Sequence, residues 1–170
     1  AKHLARRRPE KTALLVWFGA EERGLLGSKA FVDAHPELLK KILLVVNMDV
    51  MGDPLGVPGA VALGGADMAR FAKRLGFLKV RQGIYSSDGM PFALKASIPS
   101  LNLLSSGPSN YWGHTPNDRW VSPEAMERLQ VLVNRLADEL LKGPSLPFEA
   151  RIPGWLSRKV RAYFRERGAL

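Results

Sequence analysis

Residues 13–28, ALLVWFGAEERGLLGS, constrain the fold of this chain more than any other stretch. Six consecutive apolar residues, 13–18, are too few to cross a bilayer and match a strand buried on both faces. Gly19 and Ala20 end the run, and two adjacent carboxylates, Glu21 and Glu22, follow where the chain would leave a sheet. Apolar spacing over 24–34 then predicts a helix. Open α/β sheets bind ligands at the carboxyl ends of their strands. One carboxylate placed there can hold a metal while its neighbour takes a proton from water. The same pair reads equally well as solvated glutamates of a βα loop.

The rest of the chain alternates in the same way. Pro36 suits the first position of a short helix through residue 41. Residues 42–48, ILLVVNM, predict a second buried strand, which gives a βαβ unit with parallel strands and leaves Asp49 at a strand end. Residues 52–59, with Pro54 and Pro58, read as a loop, and 61–63 as a short strand. Residues 66–75 have helical spacing stopped by Gly76. Ser86, Ser87 and Asp88 offer N-cap groups to a helix through residue 96. A third apolar strand over 98–104 leads into the polar segment 105–118, and a loop of that length in a compact domain is usually functional. Ser122, Pro123 and Glu124 open a helix ended by Gly143, with Met126, Leu129, Leu132, Val133, Leu136 and Leu140 as its apolar stripe. Buried strands alternating with helices define an α/β sheet covered on both faces. Residues 1–10 read as the last turns of a helix ended by Pro9. A basic lead-in feeding straight into the most buried strand reads as a chain that starts within a domain.

The net charge of +9 comes from 25 basic and 16 acidic residues, and the excess gathers at the ends. Lys2, Arg6, Arg7 and Arg8 stand at the start, and 151–167 is arginine-rich. Between them lies no zinc finger, RNA-recognition signature or phosphate-cradling glycine loop, which argues against nucleic acid as a partner. Pro144, Pro147 and Pro153 mark a linker before a helical pattern over 154–167, where Leu156, Val160, Tyr163 and Phe164 share a face and Arg158, Lys159, Arg161 and Arg165 lie elsewhere. That pattern fits peripheral contact with an anionic membrane, or packing on its own domain or a partner subunit. No apolar run approaches the ~20 residues of a membrane span. The basic segment 2–11 lacks the apolar core of a signal peptide, and the compartment stays open. With no cysteine, any metal must be held by His, Asp and Glu. His3 and His35 read as surface residues. His114, between Gly113 and Thr115-Pro116 in the long loop after a central strand, would converge with Glu22 and Asp49 at one sheet edge.

The motifs AEERGLLGS, NMDVMG, SDGMPF followed by SIPSLNL, and GHTPND occur in the order that resembles the zinc-dependent aminopeptidases with two co-catalytic metals, the family that includes bacterial leucine aminopeptidases and glutamate carboxypeptidase. The resemblance covers residues 13–141. It implies a mixed, mostly parallel sheet sandwiched by helices, with 1–143 the C-terminal part of the catalytic domain, lacking its N-terminal strands. Residues 144–170 are then a linker and a basic amphipathic helix. It implies a peptide substrate, Glu21 as general base, Glu22 and His114 as ligands of one zinc, and Asp49 as a ligand of the other. Relatives often carry tyrosine where this chain has Gly113. Tyr111 either reaches in to stabilise the oxyanion or covers the core together with Trp112. They often carry histidine where this chain has Gly89, so Asp88 reads as a helix cap. Asp118 either orients His114 or serves as a turn residue. The histidine and bridging aspartate with which the family's pattern begins have no counterpart before residue 13. Two other functions remain compatible: a non-catalytic peptidase-like module that binds a membrane or partner, and a single-zinc acyltransferase of the glutaminyl-cyclase kind.

Overall fold

Four strands form the sheet: β1 (Val45–Met48), β2 (Val57–Leu63), β3 (Lys79–Gln82) and β4 (Ser100–Ser106), in the order β1-β4-β2-β3. The structure, a computed structural model, describes residues 2–7 and 9–168; Ala1 and Arg8 of the expected lead-in helix, and residues 169–170, lie outside these. The β1–β4 and β2–β3 pairs are parallel and β2–β4 is antiparallel, so the sheet is mixed and mostly parallel.

The two-residue alternation of strands sorts the core into two layers. Ala60 and Ala62 of β2 and Leu101 and Leu103 of β4 face α4 (Ala66–Leu75) and α6 (Pro123–Leu141), which bury Met68, Phe71, Leu136 and Leu140 there. Leu63 joins a cluster with Met90 and Ala93 of α5 (Gly89–Ala96) and Leu156, Val160 and Phe164 of α7 (Gly154–Glu166). α2 (Leu26–Ala34) and α3 (Pro36–Leu39) add Val32 and Leu39 to a third cluster with Phe92 and Ile98. The basic residues Arg158, Lys159, Arg161 and Arg165 face solvent. The short α1 (Lys2–Ala5) leans on α6, where His3 Nε2 lies 2.8 Å from Asp138.

Several elements end for local reasons. Gly76 stops α4 in the left-handed region at φ 107. Ser122 caps α6, its hydroxyl accepting the Ala125 N–H at 3.2 Å, with Pro123 in the first turn. α2 starts at Leu26 because Gly24 and Leu25 are both left-handed.

The strands depart from the sequence reading in three places. Residues 13–18 form no strand: among the described residues none pairs with them, and Leu14, Leu15, Val16 and Trp17 are exposed, Trp17 at 84%. Only Phe18 is gripped, by Phe31 and Phe92 at ring distances of 5.5 and 6.1 Å. An apolar run favours extended backbone, but a strand also needs a neighbour, which the run itself does not encode. Second, residues 57–59 are not loop but the start of β2. Pro58 still accepts a hydrogen bond from Leu78 N–H at 2.9 Å, and the missing side chain of Gly59 lets the Lys79 carbonyl approach. Third, β3 is short, charged and at the sheet edge, and its alternation is too brief to register as a strand.

Candidate metal centre

β1 delivers Asp49 to the sheet edge. Its N–H donates to Leu103 O at 3.1 Å, and its Oδ1 accepts the Val50 N–H at 2.8 Å. Glu21 and Glu22 occupy a 3-10 turn, Glu21–Arg23, flanked by left-handed Ala20 and Gly24. The turn is tied to α2 by Leu25 N–H to Glu21 O (2.8 Å), Leu26 N–H to Ala20 O (3.2 Å) and Gly27 N–H to Gly19 O (3.1 Å). His114 follows a second 3-10 turn, Pro108–Trp112, and stands at φ 63. Its Nδ1 lies 3.4 Å from Glu22 Oε1, and both side chains are exposed. Ala20, Leu25, Val50 and His114 are non-glycine residues at positive φ, a strained conformation that tends to collect at functional sites.

Their charges act on one another. Burial, then the charges of Glu22, Asp49 and Asp88, push the Glu21 carboxyl up to about 7, against an opposing pull from His114. Burial also raises Asp49; the Val50 N–H opposes this, Glu22 adds to it, and His114 eases it. The edge therefore gathers Glu21, Glu22, Asp49 and His114 from three distant parts of the chain. Tyr111 is instead 82% exposed and meets Trp112 edge-on at 5.2 Å. Asp118 is exposed, donates its N–H to Thr115 O, and makes no side-chain hydrogen bond to His114 among the described residues.

Two further groups stand here, Asp88, which the sequence marked only as a helix cap, and Tyr85, which it did not mark. Asp88 occupies the N-cap position of α5, but its side chain makes no capping bond; its Oδ1 instead accepts the Ser28 hydroxyl at 2.6 Å. Burial raises its carboxyl, the Ser28 hydroxyl lowers it, and Asp49 raises it again. Tyr85 is raised by burial and by Asp49, Glu21 and Glu22, with Arg81 opposing. The only sequence signal was position: Tyr85 immediately precedes the Ser86-Ser87-Asp88 run ahead of α5.

The donor types fit zinc, since imidazole and carboxylate oxygens are its ligands in cysteine-free catalytic sites, and crowded carboxylates leave negative charge for a cation to compensate. The donor number does not close a shell: among the described residues no group of three or more His, Asp or Glu side chains is close enough to hold an ion.

Sheet, turn and strand-end carboxylates together define an α/β domain with a candidate metal-binding edge. The sequence profile of peptidase family M28 matches residues 1–137, and the chain belongs to that family. It is 31% identical over 156 residues to the aminopeptidase YwaD of Bacillus subtilis (strain 168), an alignment covering 81% of this chain and 34% of that protein. It is also similar to the solved structure of an aminopeptidase from Aneurinibacillus sp. strain AM-1, with TM-score 0.58 and 26% identity over 80% of this chain and 34% of that one. The LapA aminopeptidase of Legionella pneumophila shares the fold, with TM-score 0.61 and 23% identity over 76% of this chain and 39% of its own. The chain thus spans about a third of the length of the curated relative it matches.

Proposed function

We propose that this protein supplies the general base and part of the ligand set of a zinc-dependent exopeptidase, an aminopeptidase that hydrolyses N-terminal residues from peptides. The observation that supports the reading is the 3.4 Å approach of His114 Nδ1 to Glu22, next to a Glu21 carboxyl raised by burial and by the charges of Glu22, Asp49 and Asp88. Membership of family M28 and the aminopeptidase relatives support it. Glu22 and His114 would hold one zinc and Asp49 the second. Zinc bound there supplies a Lewis acid that brings the pKa of water towards ~7. Glu21 is drawn back to its ionised form as the surrounding negative charge is compensated, and ionised carboxylate is the form a base needs. It then takes the proton from water and returns it to the departing amine.

The test is Glu21→Gln in the intact protein, assayed on aminoacyl p-nitroanilides with zinc measured in parallel. General-base loss predicts a fall in kcat of roughly 10²-fold or more with zinc content unchanged. Full activity in the variant would overturn the role of Glu21. The second reading, a non-catalytic peptidase-like module, draws on the absence of a closed ligand group among the described residues. A wild-type protein that neither binds zinc nor cleaves any peptide substrate would put that reading first.

A further inference from the structure

Between β1 and β2 the chain turns through Asp53, which is only 4% exposed. Among the described residues no Lys, Arg or His pairs with it. A buried carboxylate without a counter-charge is costly and persists only when fully hydrogen-bonded. Asp53 meets that condition with donors from two loops. Oδ1 accepts the Leu55 N–H at 2.9 Å, closing its own turn. Oδ2 accepts the Ser109 N–H at 2.8 Å and the Ser109 hydroxyl as well. Gly107, just ahead of Ser109, has room only for hydrogen, because a Cβ there would overlap the Asp53 carboxylate.

Ser109 lies in the 3-10 turn that leads to His114. From this root the loop is bonded step by step: Asn110 Nδ2 to Ser105 O (3.3 Å), Gly113 N–H to Asn110 O (3.2 Å), and Thr115 N–H and hydroxyl to Trp112 O (3.1 and 2.6 Å). The imidazole itself is exposed, and its recorded partner is Glu22. Its position is therefore inherited from the loop root.

We propose that Asp53 is a positioning residue: its carboxylate fastens the root of the 107–115 loop and so sets the reach of His114 to Glu22. The consequence for zinc rests on the reading given under the proposed function; the consequence for the loop does not. Asparagine has nearly the same volume as aspartate, but only its amide oxygen accepts, so whichever way the amide is turned its nitrogen faces either the Ser109 donors or the Leu55 N–H. Asp53→Asn thus sets donor against donor.

The experiment uses metal-free protein in chelator. In wild type, nuclear Overhauser contacts should join the His114 ring to the Glu22 side chain, and the Ser109, Gly113 and Thr115 amides should be protected from exchange. Asp53→Asn should remove the contacts and speed exchange at those three amides tenfold or more, while sheet and α6 amides stay protected. Leu136→Ala, a core variant that lowers the melting temperature, should move neither readout at the loop. Ser109→Ala removes one bond and keeps the N–H, so it should give a smaller effect of the same kind, and it carries the test if Asp53→Asn does not fold. Unchanged contacts and exchange in both variants would overturn the inference. A Zn²⁺ titration against a competing chelator follows, with Asp53→Asn expected to bind about 10–100-fold more weakly. If wild type takes up no zinc, the metal reading fails while exchange and contacts still decide the role of Asp53.

Discussion

Burial and three neighbouring carboxylates, Glu22, Asp49 and Asp88, keep the Glu21 carboxyl protonated up to about pH 7, against 4.5 for an ordinary glutamate. Between those two values the folded state binds more protons than the unfolded one. The stability of the metal-free protein therefore falls as pH rises through that window and levels off on either side. Glu21→Gln removes the ionisation and its cost. At pH 8 the metal-free variant should be more stable than wild type by about 1 kcal/mol, solvent screening at this part-exposed site reducing the full linkage value, or roughly 2–4 °C in melting temperature. At pH 4 the difference should vanish. Thermal melts in chelator at the two pH values check this, and an equal difference at both would show that Glu21 is not under that electrostatic pressure. A carboxyl raised by burial and by neighbouring carboxylates in this way is a candidate for a functional site.

α2 shows how one element holds the candidate site in place. It begins directly behind the Glu21–Arg23 turn, and a Cβ at Gly27 would overlap the Gly19 carbonyl. In an open helix, alanine for glycine gains about 1 kcal/mol. Here the overlap is with backbone, so Gly27→Ala should cost about 1–3 kcal/mol instead, and it should push the Glu21–Glu22 turn away from His114. Denaturant melts give the first quantity and zinc affinity the second; a stabilised variant with unchanged affinity would contradict both. The elements legible in the sequence were those specified locally. α4 follows from its apolar spacing and Gly76, and α6 from Ser122, Pro123 and its stripe. The strand-end position of Asp49 and the loop position of His114 were legible for the same reason. What escaped depends on partners far along the chain. Residues 13–18 have strand composition without a described neighbour, and β2 runs through Pro58 and Gly59 because β3 and β4 flank it. Tyr85 comes within reach of the charges of Asp49 and Glu21, and Asp88 meets the Ser28 hydroxyl, only in the folded chain, and no spacing rule brings them together.

Across the whole molecule, two apolar surfaces of similar sequence character have opposite fates. Leu14, Leu15, Val16 and Trp17 lie open to solvent, whereas Leu156, Val160 and Phe164 of α7 are at most 1% exposed. The second group packs with Leu25, Leu63, Met90 and Ala93, so α7 closes the layer over α5. Its cations face outward, and Lys159 sits 5.2 Å above the Trp155 ring. Burying three side chains of this size contributes roughly 5–9 kcal/mol at about 1.5–3 kcal/mol each, while the net stability of a domain is about 5–15 kcal/mol. Removing α7 therefore takes most or all of the margin and uncovers Met90 and Leu63. Deletion of residues 151–170 should abolish cooperative unfolding and produce strong binding of a hydrophobic dye. Phe164→Ala alone should lower stability by about 3–5 kcal/mol with the fold retained. A truncated protein that melts like wild type would make α7 an appendage, and its buried stripe would then have to be explained by something other than this core.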